Sequence, residues 1–291
     1  MNHLEFVRPS GIPVEVTSTD LQLVGEIRPQ IAHALRAPEG HSVELLTQDG
    51  VRLVDSSVLS ELTPGIVTVV LLPDPLEARI ADILGVEQFS DLTAKRTITF
   101  SLMVLQGLPG SIDRLTSLTS LTIHGTRLVS LPETFGQLAS LASLVIVDNP
   151  LASLPETFGQ LASLATLRLS ANRLWSLPET FGQLASLTSL CLTGNCLESL
   201  PETFGQLGML ACLCIGGNRL ESLPETFGHL ASLSNLSMYR NQLTSLPETF
   251  VQLASLKTLW MGGNQLVSLP RNFGNLPLQD RSALVRRCLL P

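Results

Sequence analysis

The side chains of this 291-residue sequence best suited to chemistry are four cysteines in one short stretch: Cys191, Cys196, Cys212 and Cys214. Cys191 and Cys214 stand 23 residues apart, and Cys212 precedes Cys214 by two. Thiolates brought together in this way are soft-metal ligands, and in pairs they are two-electron redox groups. A structural zinc site asks for four ligands. No fourth is evident, because Cys196 lies past a turn and the five histidines are scattered. The residues therefore favour cysteine as a small filler beside a repetitive surface, with no metal and no cofactor. With Cys288 the cysteines number five, an odd count that makes a poor disulfide framework. Nothing matches a phosphate loop, a dinucleotide-binding glycine turn, a zinc-protease histidine pair or a nucleophile elbow. The chain is expected not to be an enzyme.

The 23-residue step between Cys191 and Cys214 is the period of most of the chain. Leu131-Pro132-Glu133-Thr134-Phe135-Gly136-Gln137-Leu138 recurs almost unchanged from Leu154, Leu177, Leu200, Leu223 and Leu246, with weaker copies from Leu108 and Leu269. The remainder of each unit reads L-x-x-L-x-L-x-x-N-x-L, as in Leu164, Leu167, Leu169, Asn172 and Leu174. Ile98, Phe100 and Leu105 fit an opening unit without the Asn, giving about eight units over 95–276. In L-x-L both leucines point to one side of a short strand and the residue between them points away. A single unit cannot bury its leucines; a stack of units can. The expected fold is therefore α/β, a solenoid with a curved parallel β-sheet on its concave face. The Leu-Pro-Glu-Thr-Phe words return the chain by short helical or irregular convex segments, where proline is tolerated. Two columns should hold the stack together. Asn149, Asn172, Asn195, Asn218, Asn241 and Asn264 form an amide ladder bonding turn backbone in their own and adjacent units. Phe135, Phe158, Phe181, Phe204, Phe227, Phe250 and Phe273 form a convex spine.

On these residues the chain resembles the leucine-rich-repeat superfamily. The 23-residue unit with L-P-x-x-F-x-x-L is most similar to the intracellular class of Ras-pathway repeat scaffolds, plant intracellular Ras-group-related proteins and the Scribble and Erbin repeats. The resemblance covers about residues 95–276 and implies a horseshoe whose concave sheet binds a protein. It implies a non-catalytic scaffold or adaptor, with a role in intracellular signal transduction. The alternative is a substrate-recognition or regulatory subunit of a ubiquitin ligase or phosphatase system.

The repeats point to where a partner would bind. Convex words are nearly identical, whereas outward strand positions have diverged. Between the strand leucines stand Thr122, Val145, Arg168, Cys191, Cys214, Ser237 and Trp260. Two positions on stand His124, Val147, Ser170, Thr193, Gly216, Tyr239 and Gly262. Arginine and large aromatics are enriched at interface hot spots. The expected protein-binding residues are Arg168, Arg173, Arg219, Tyr239, Arg240 and Trp260. With few acids nearby, chiefly Glu198 and Glu221, an acidic or phosphorylated protein segment is the expected ligand. The convex row of one Glu per unit reads as a solvated face.

The ends of the chain do not repeat. Residues 1–72 read as strands over 4–7, 13–16, 42–46 and 66–72, with a short helix over 28–35 and an apolar turn over 58–62 before the last strand. This order resembles a ubiquitin-like β-grasp, a small α+β domain. It departs from ubiquitin where Pro73-Asp74-Pro75, not a diglycine tail, follows Leu72, so conjugation is not expected. Residues 73–94 read as a linker and amino-terminal capping helix, and 277–291 as a carboxy-terminal capping helix. Residues 1–94 hold 5 Lys/Arg against 14 Asp/Glu, and 95–291 hold 13 against 11, so the net −7 is concentrated at the amino end. An acidic head argues against nucleic acid as a partner. No apolar run of about 18 residues suggests a membrane span. The first residues lack the basic and apolar regions of a secretory signal. Together with free thiols, this sets the expected localisation as cytoplasmic.

Overall fold

In the computed structural model, residues 75–105 and 107–279 are described in full, and residues 5–7, 13–14, 42–46 and 66–72 as backbone strands. The chain divides into two compact units, Met1–Phe89 with Pro109–Ser111, and Ser90–Leu108 with Ile112–Pro291.

In the first unit, β1 (Glu5–Val7), β2 (Pro13–Val14), β3 (Ser42–Leu46) and β4 (Ile66–Leu72) form a sheet of order β2-β1-β4-β3. β1 runs parallel to β4, while β1–β2 and β3–β4 are antiparallel. The helix expected over 28–35 and the turn over 58–62 lie outside the described residues. A helix, α1 (Pro75–Leu84), follows. Pro75 needs no N–H at a first helical position. Gly85, at φ +65°, ends the helix: its N–H reaches the Asp82 carbonyl at 3.1 Å and that of Val86 reaches Ala81 at 3.0 Å. Ile80 and Ala81 are buried, and the buried Glu77 accepts a hydrogen bond from the Ser111 hydroxyl.

The second unit is the repeat array. Eight strands pair in sequence order, all parallel: β5 (Thr97–Ser101), β6 (Ser120–His124), β7 (Ser143–Val147), β8 (Thr166–Arg168), β9 (Ser189–Cys191), β10 (Cys212–Cys214), β11 (Asn235–Ser237) and β12 (Thr258–Trp260). Leu144, Leu167, Leu190, Leu213, Leu236 and Leu259 stand in register across adjacent strands and are buried. Each Glu-Thr-Phe-Gly-Gln segment is one 3-10 turn, as in Glu179–Gln183, preceded by an extended proline and closed by i→i+3 bonds such as Phe181 N–H to Pro178 at 3.0 Å.

The asparagine side chains tie each turn to the one before. Asn195 donates to the Leu192 and Leu169 carbonyls at 3.0 and 2.8 Å, and accepts from the Leu174 N–H at 3.1 Å. Asn218 repeats this with Leu192, Ile215 and Leu197. Asn149 accepts from both the N–H and the hydroxyl of Thr126, which takes the ladder position in the preceding unit. Asn172 departs from the pattern. Its buried Oδ1 has no partner, and the preceding unit carries Pro150 where its neighbours carry Arg127, Arg173 or Cys196.

On the convex side Phe135 through Phe250 are fully buried, and their rings repeat at 6.0–6.2 Å with planes within 3°. Hydrogen-bonded strands sit only about 4.8 Å apart. That difference between the two sides bends the stack and makes the sheet its concave wall. A second contact column lies beside the phenylalanines. A Cβ at Gly136, Gly159, Gly182, Gly205 or Gly228 would fall 2.0–2.2 Å from the carbonyl oxygen of the next unit's threonine. Those threonines in turn donate to the preceding unit's glutamate carbonyl, as Thr203 does to Glu179 at 2.6 Å. Where Val251 replaces the glycine the pattern breaks. Asn272 takes φ +64°, the Phe250–Phe273 planes open to 19°, and Phe273 is only partly buried.

Candidate protein-binding face

Alternation along each strand gives the wall its outward side chains. One strand step beyond the buried leucine Arg168 points out from β8 and Trp260 from β12, both exposed. Arg168 stands in register with Val145 and Cys191, and Trp260 with Ser237. Tyr239 follows β11, and its ring lies on Gly216: a Cβ there would meet it at 2.5 Å. Glycine at 216 is thus what lets the phenol lie across the neighbouring strand, leaving it 37% exposed.

After each strand the chain turns through one left-handed residue: Leu102, Gly125, Asp148, Ala171, Gly194, Gly217, Arg240 and Gly263 all have positive φ. Glycine takes this conformation freely; Arg240, at φ +50°, takes it at a cost of about 1–2 kcal/mol. The Arg240 side chain lies beside Gly263 of the next unit. Beyond each turn comes the column that holds exposed Arg127, Arg173 and Arg219, with half-buried Cys196 between the last two.

The six residues singled out from the sequence fall into two groups. Tyr239, Arg240 and Trp260 gather on adjacent units at the carboxyl end. Arg168, Arg173 and Arg219 spread over mid-array, and β8 lies four strand spacings, about 19 Å, from β12. At the amino end His124 Nε2 meets Asp148 Oδ2 at 2.8 Å. A further column went unread in the sequence. Two residues past the Arg127 column stand Val129, Ala152, Trp175, Glu198, Glu221, Thr244 and Val267. Trp175 is 60% exposed there, beside Arg173, and Trp260 is 61% exposed. Both tryptophans of the chain are therefore in solvent. Extending the comparison of repeats by two positions would have found Trp175.

The cysteines lie on the same wall. Cys214 pairs in register with Cys191, while Cys212 pairs with Ser189 and Asn235. Cys191 Sγ lies 3.1 Å from Ser170 Oγ and 3.5 Å from Thr193 Oγ1. Burial works to raise the Cys191 pKa, but hydrogen bonds from Ser170 and Thr193 and the Arg168 charge outweigh it, and the thiol lies below its usual range. Burial, and the neighbouring Cys191, push Cys214 up. Among the described residues no group of three or more His, Cys, Asp or Glu is placed to hold a metal ion, and no helix is long and apolar enough to cross a membrane.

Two family descriptions match the array: "Leucine-rich repeat region" over residues 166–240 and "Leucine Rich Repeat" over 255–276. No curated protein is significantly similar to the chain. Among solved structures it is similar to the leucine-rich repeat domain of the type III effector XopL, with 25% identity, 73% of this chain and 80% of that one covered, and a TM-score of 0.54. The plant peptide hormone receptor RGFR1, in complex with RGF2, is 28% identical, with 62% and 30% covered and a TM-score of 0.56. A leucine-rich-repeat protein of Leptospira interrogans is 31% identical, with 62% and 58% covered and a TM-score of 0.47. The chain thus spans 58% of the Leptospira protein and 30% of the plant receptor. Sequential parallel strands, an asparagine ladder, 3-10 returns and the matched family descriptions agree: the array from β5 to residue 276 is a leucine-rich-repeat solenoid.

Proposed function

We propose that this solenoid is a non-catalytic docking module, a scaffold or adaptor that holds a protein partner along its concave wall. The observation that carries the reading is the exposure of both tryptophans: Trp260 shares an outward column with exposed Arg168, and Trp175 lies two residues past exposed Arg173. Tryptophan is usually well buried in a folded protein. When it is exposed beside arginine it is the residue type from which interface hot spots are made. Arg168, Arg173, Arg219 and Arg240 outnumber Glu198 and Glu221, which favours an acidic or phosphorylated segment as ligand. An extended peptide also fits a wall about 19 Å long between Arg168 and Trp260, and RGFR1 is described in complex with RGF2.

The amino-terminal sheet would be a second docking element. Its order β2-β1-β4-β3, with the parallel pair in the centre, supports the ubiquitin-like reading, and Pro73-Asp74-Pro75 makes it a fixed domain and not a conjugated one. Such a module favours, as a second reading, a recognition subunit of a ubiquitin ligase or phosphatase. The described thiols, none of them in a disulfide, and the resemblance to the intracellular repeats support a cytoplasmic signalling role as part of this reading. Affinity capture with the intact chain, read by mass spectrometry, separates these readings. A catalytic subunit recovered in stoichiometric amount would favour the second. A captured partner whose binding survives Trp175→Ala, Trp260→Ala and Arg168→Ala would remove the concave assignment. Limited proteolysis tests the division of the chain: a stable fragment ending near residue 74 is expected, and the absence of any such fragment contradicts a separate amino-terminal domain.

A further inference from the structure

We infer that Cys191 and Cys214 form a peroxide-reactive dithiol on the concave wall, in which Cys191 is oxidised first and Cys214 closes a reversible disulfide onto it. The inference does not depend on the docking reading. Its basis is placement: the two thiols occupy facing positions of hydrogen-bonded parallel strands, β9 and β10. Strand spacing puts their Cα atoms about 4.8 Å apart, inside the disulfide range of about 4.4–6.8 Å. Neither of the other described thiols has such a partner. Cys212 faces Ser189 and Asn235 across the strands, and Cys196 lies beyond the turn.

The surroundings divide the work between the two sulfurs. Around Cys191 the Ser170 and Thr193 hydroxyls are placed to donate to a thiolate, and Arg168 stands in register on the next strand. Burial opposes ionisation of Cys191, yet the net direction is downward. Cys214 has no such donors, and a negative Cys191 raises its pKa further. Cys191 is thus the sulfur placed to react first, and Cys214 the one placed to close onto it. Both are half-buried, open to a small oxidant.

With hydrogen peroxide the chemistry balances in two steps. The Cys191 thiolate attacks one peroxide oxygen; an S–O bond forms, the O–O bond breaks and hydroxide leaves, giving the sulfenic acid. Cys214 sulfur then attacks Cys191 sulfur; the S–S bond forms, the S–O bond breaks, and the thiol proton leaves with the departing oxygen as water. Peroxide is reduced by two electrons and the thiol pair is oxidised by two. In-register parallel strands hold Cβ atoms near the strand spacing, beyond the roughly 3.5–4.5 Å a relaxed disulfide prefers. The bond should therefore be strained and easily reduced, as suits a reversible modification and not a structural staple.

The test is mass spectrometry on the intact chain treated with hydrogen peroxide. No Lys or Arg lies between Arg173 and Arg219, so trypsin leaves all four clustered cysteines in one peptide. Cleavage after glutamate, at Glu198 and Glu202, parts the peptide holding Cys191 and Cys196 from the one holding Cys212 and Cys214, and fragmentation of the linked pair then places the bond. Expected is a linked pair of peptides, one with Cys191 and one with Cys214, lighter by two hydrogens and separated by dithiothreitol. The link should persist in the Cys196→Ser, Cys212→Ser double variant and disappear in Cys191→Ser. In Cys214→Ser, dimedone should label Cys191 ahead of the other thiols. The wild-type mapping needs no variant to fold. No link, a link through Cys196 or Cys212, or the same link at equal yield in urea-unfolded chain would overturn the inference.

Discussion

The two faces of the array have had opposite histories within one chain. On the convex side Leu-Pro-Glu-Thr-Phe-Gly-Gln-Leu is repeated almost letter for letter, and on the concave side each outward column changes along the array, with only isolated neighbours such as Cys191 and Cys214 alike. The structure supplies the reason. Each convex word is packed against its own copy: phenylalanine on phenylalanine, and glycine against threonine backbone with no room for a methyl group. A change at the phenylalanine or the glycine must be matched by the next unit, so those positions are held constant by contact. Outward strand residues meet solvent, and only exceptions such as Tyr239 on Gly216 bind neighbours together. Constancy here marks packing, and variation marks the surface left free to acquire a partner.

The sharpest way to break this comparison is a methyl group on the convex side. Gly182→Ala puts a Cβ 2.2 Å from the Thr203 carbonyl oxygen and should cost about 3 kcal/mol in denaturant unfolding. Gly274→Ala, the same motif position in the last unit, has nothing within 4 Å and should change stability by less than about 0.5 kcal/mol. Equal effects at both positions would mean that the glycine–threonine contact does not hold the word constant.

Asn195→Ala should cost about 1–3 kcal/mol, because it orphans the buried Leu174 N–H, while the Leu169 and Leu192 carbonyls keep Asn172 and Asn218 as donors. Asn172→Ala should cost less, since the Asn172 Oδ1 has no partner to lose. An unchanged melting temperature for Asn195→Ala would contradict a load carried by the ladder.

On the other face the effect should move from stability to binding. Trp260→Ala and Arg168→Ala should each weaken a captured partner by about 2 kcal/mol, while unfolding shifts by less than about 0.5 kcal/mol. The convex control Glu179→Ala should change neither. Calorimetric titration alongside thermal melts reads both quantities. Arg240→Gly sharpens the contrast further. Relief of the left-handed strain should stabilise the chain by about 1 kcal/mol and weaken binding. A gain in stability with no loss of binding would leave Arg240 without a role on the wall.

Much of this was legible in the sequence, though unevenly. The 23-residue period led directly to the stacked parallel strands, since leucines spaced L-x-L on a short strand can be buried only by another unit. The period also identified which residues share a column, including the facing of Cys191 and Cys214. Trp175 escaped because its column holds Ala, Glu and Thr as well, and composition alone gave no reason to extend the comparison so far. The strained turn at Arg240 was equally hidden, because a sequence shows that arginine stands where other units have glycine but not that the backbone keeps its left-handed form there.

By itself, then, the sequence determined the repeat, the inward and outward faces, and the order of residues along each column. A repeat is compatible with many rises and rotations per unit, and only the tertiary structure decided among them. Glycine pressed against threonine carbonyl, asparagine bonded to two turns, and phenylalanine rings at 6.0–6.2 Å against strands at about 4.8 Å fix one curvature. Those are distances between residues in different units, set by closest approach. For the same reason the hydroxyls beside Cys191, and the phenol of Tyr239 lying on Gly216, became visible only once the units were stacked.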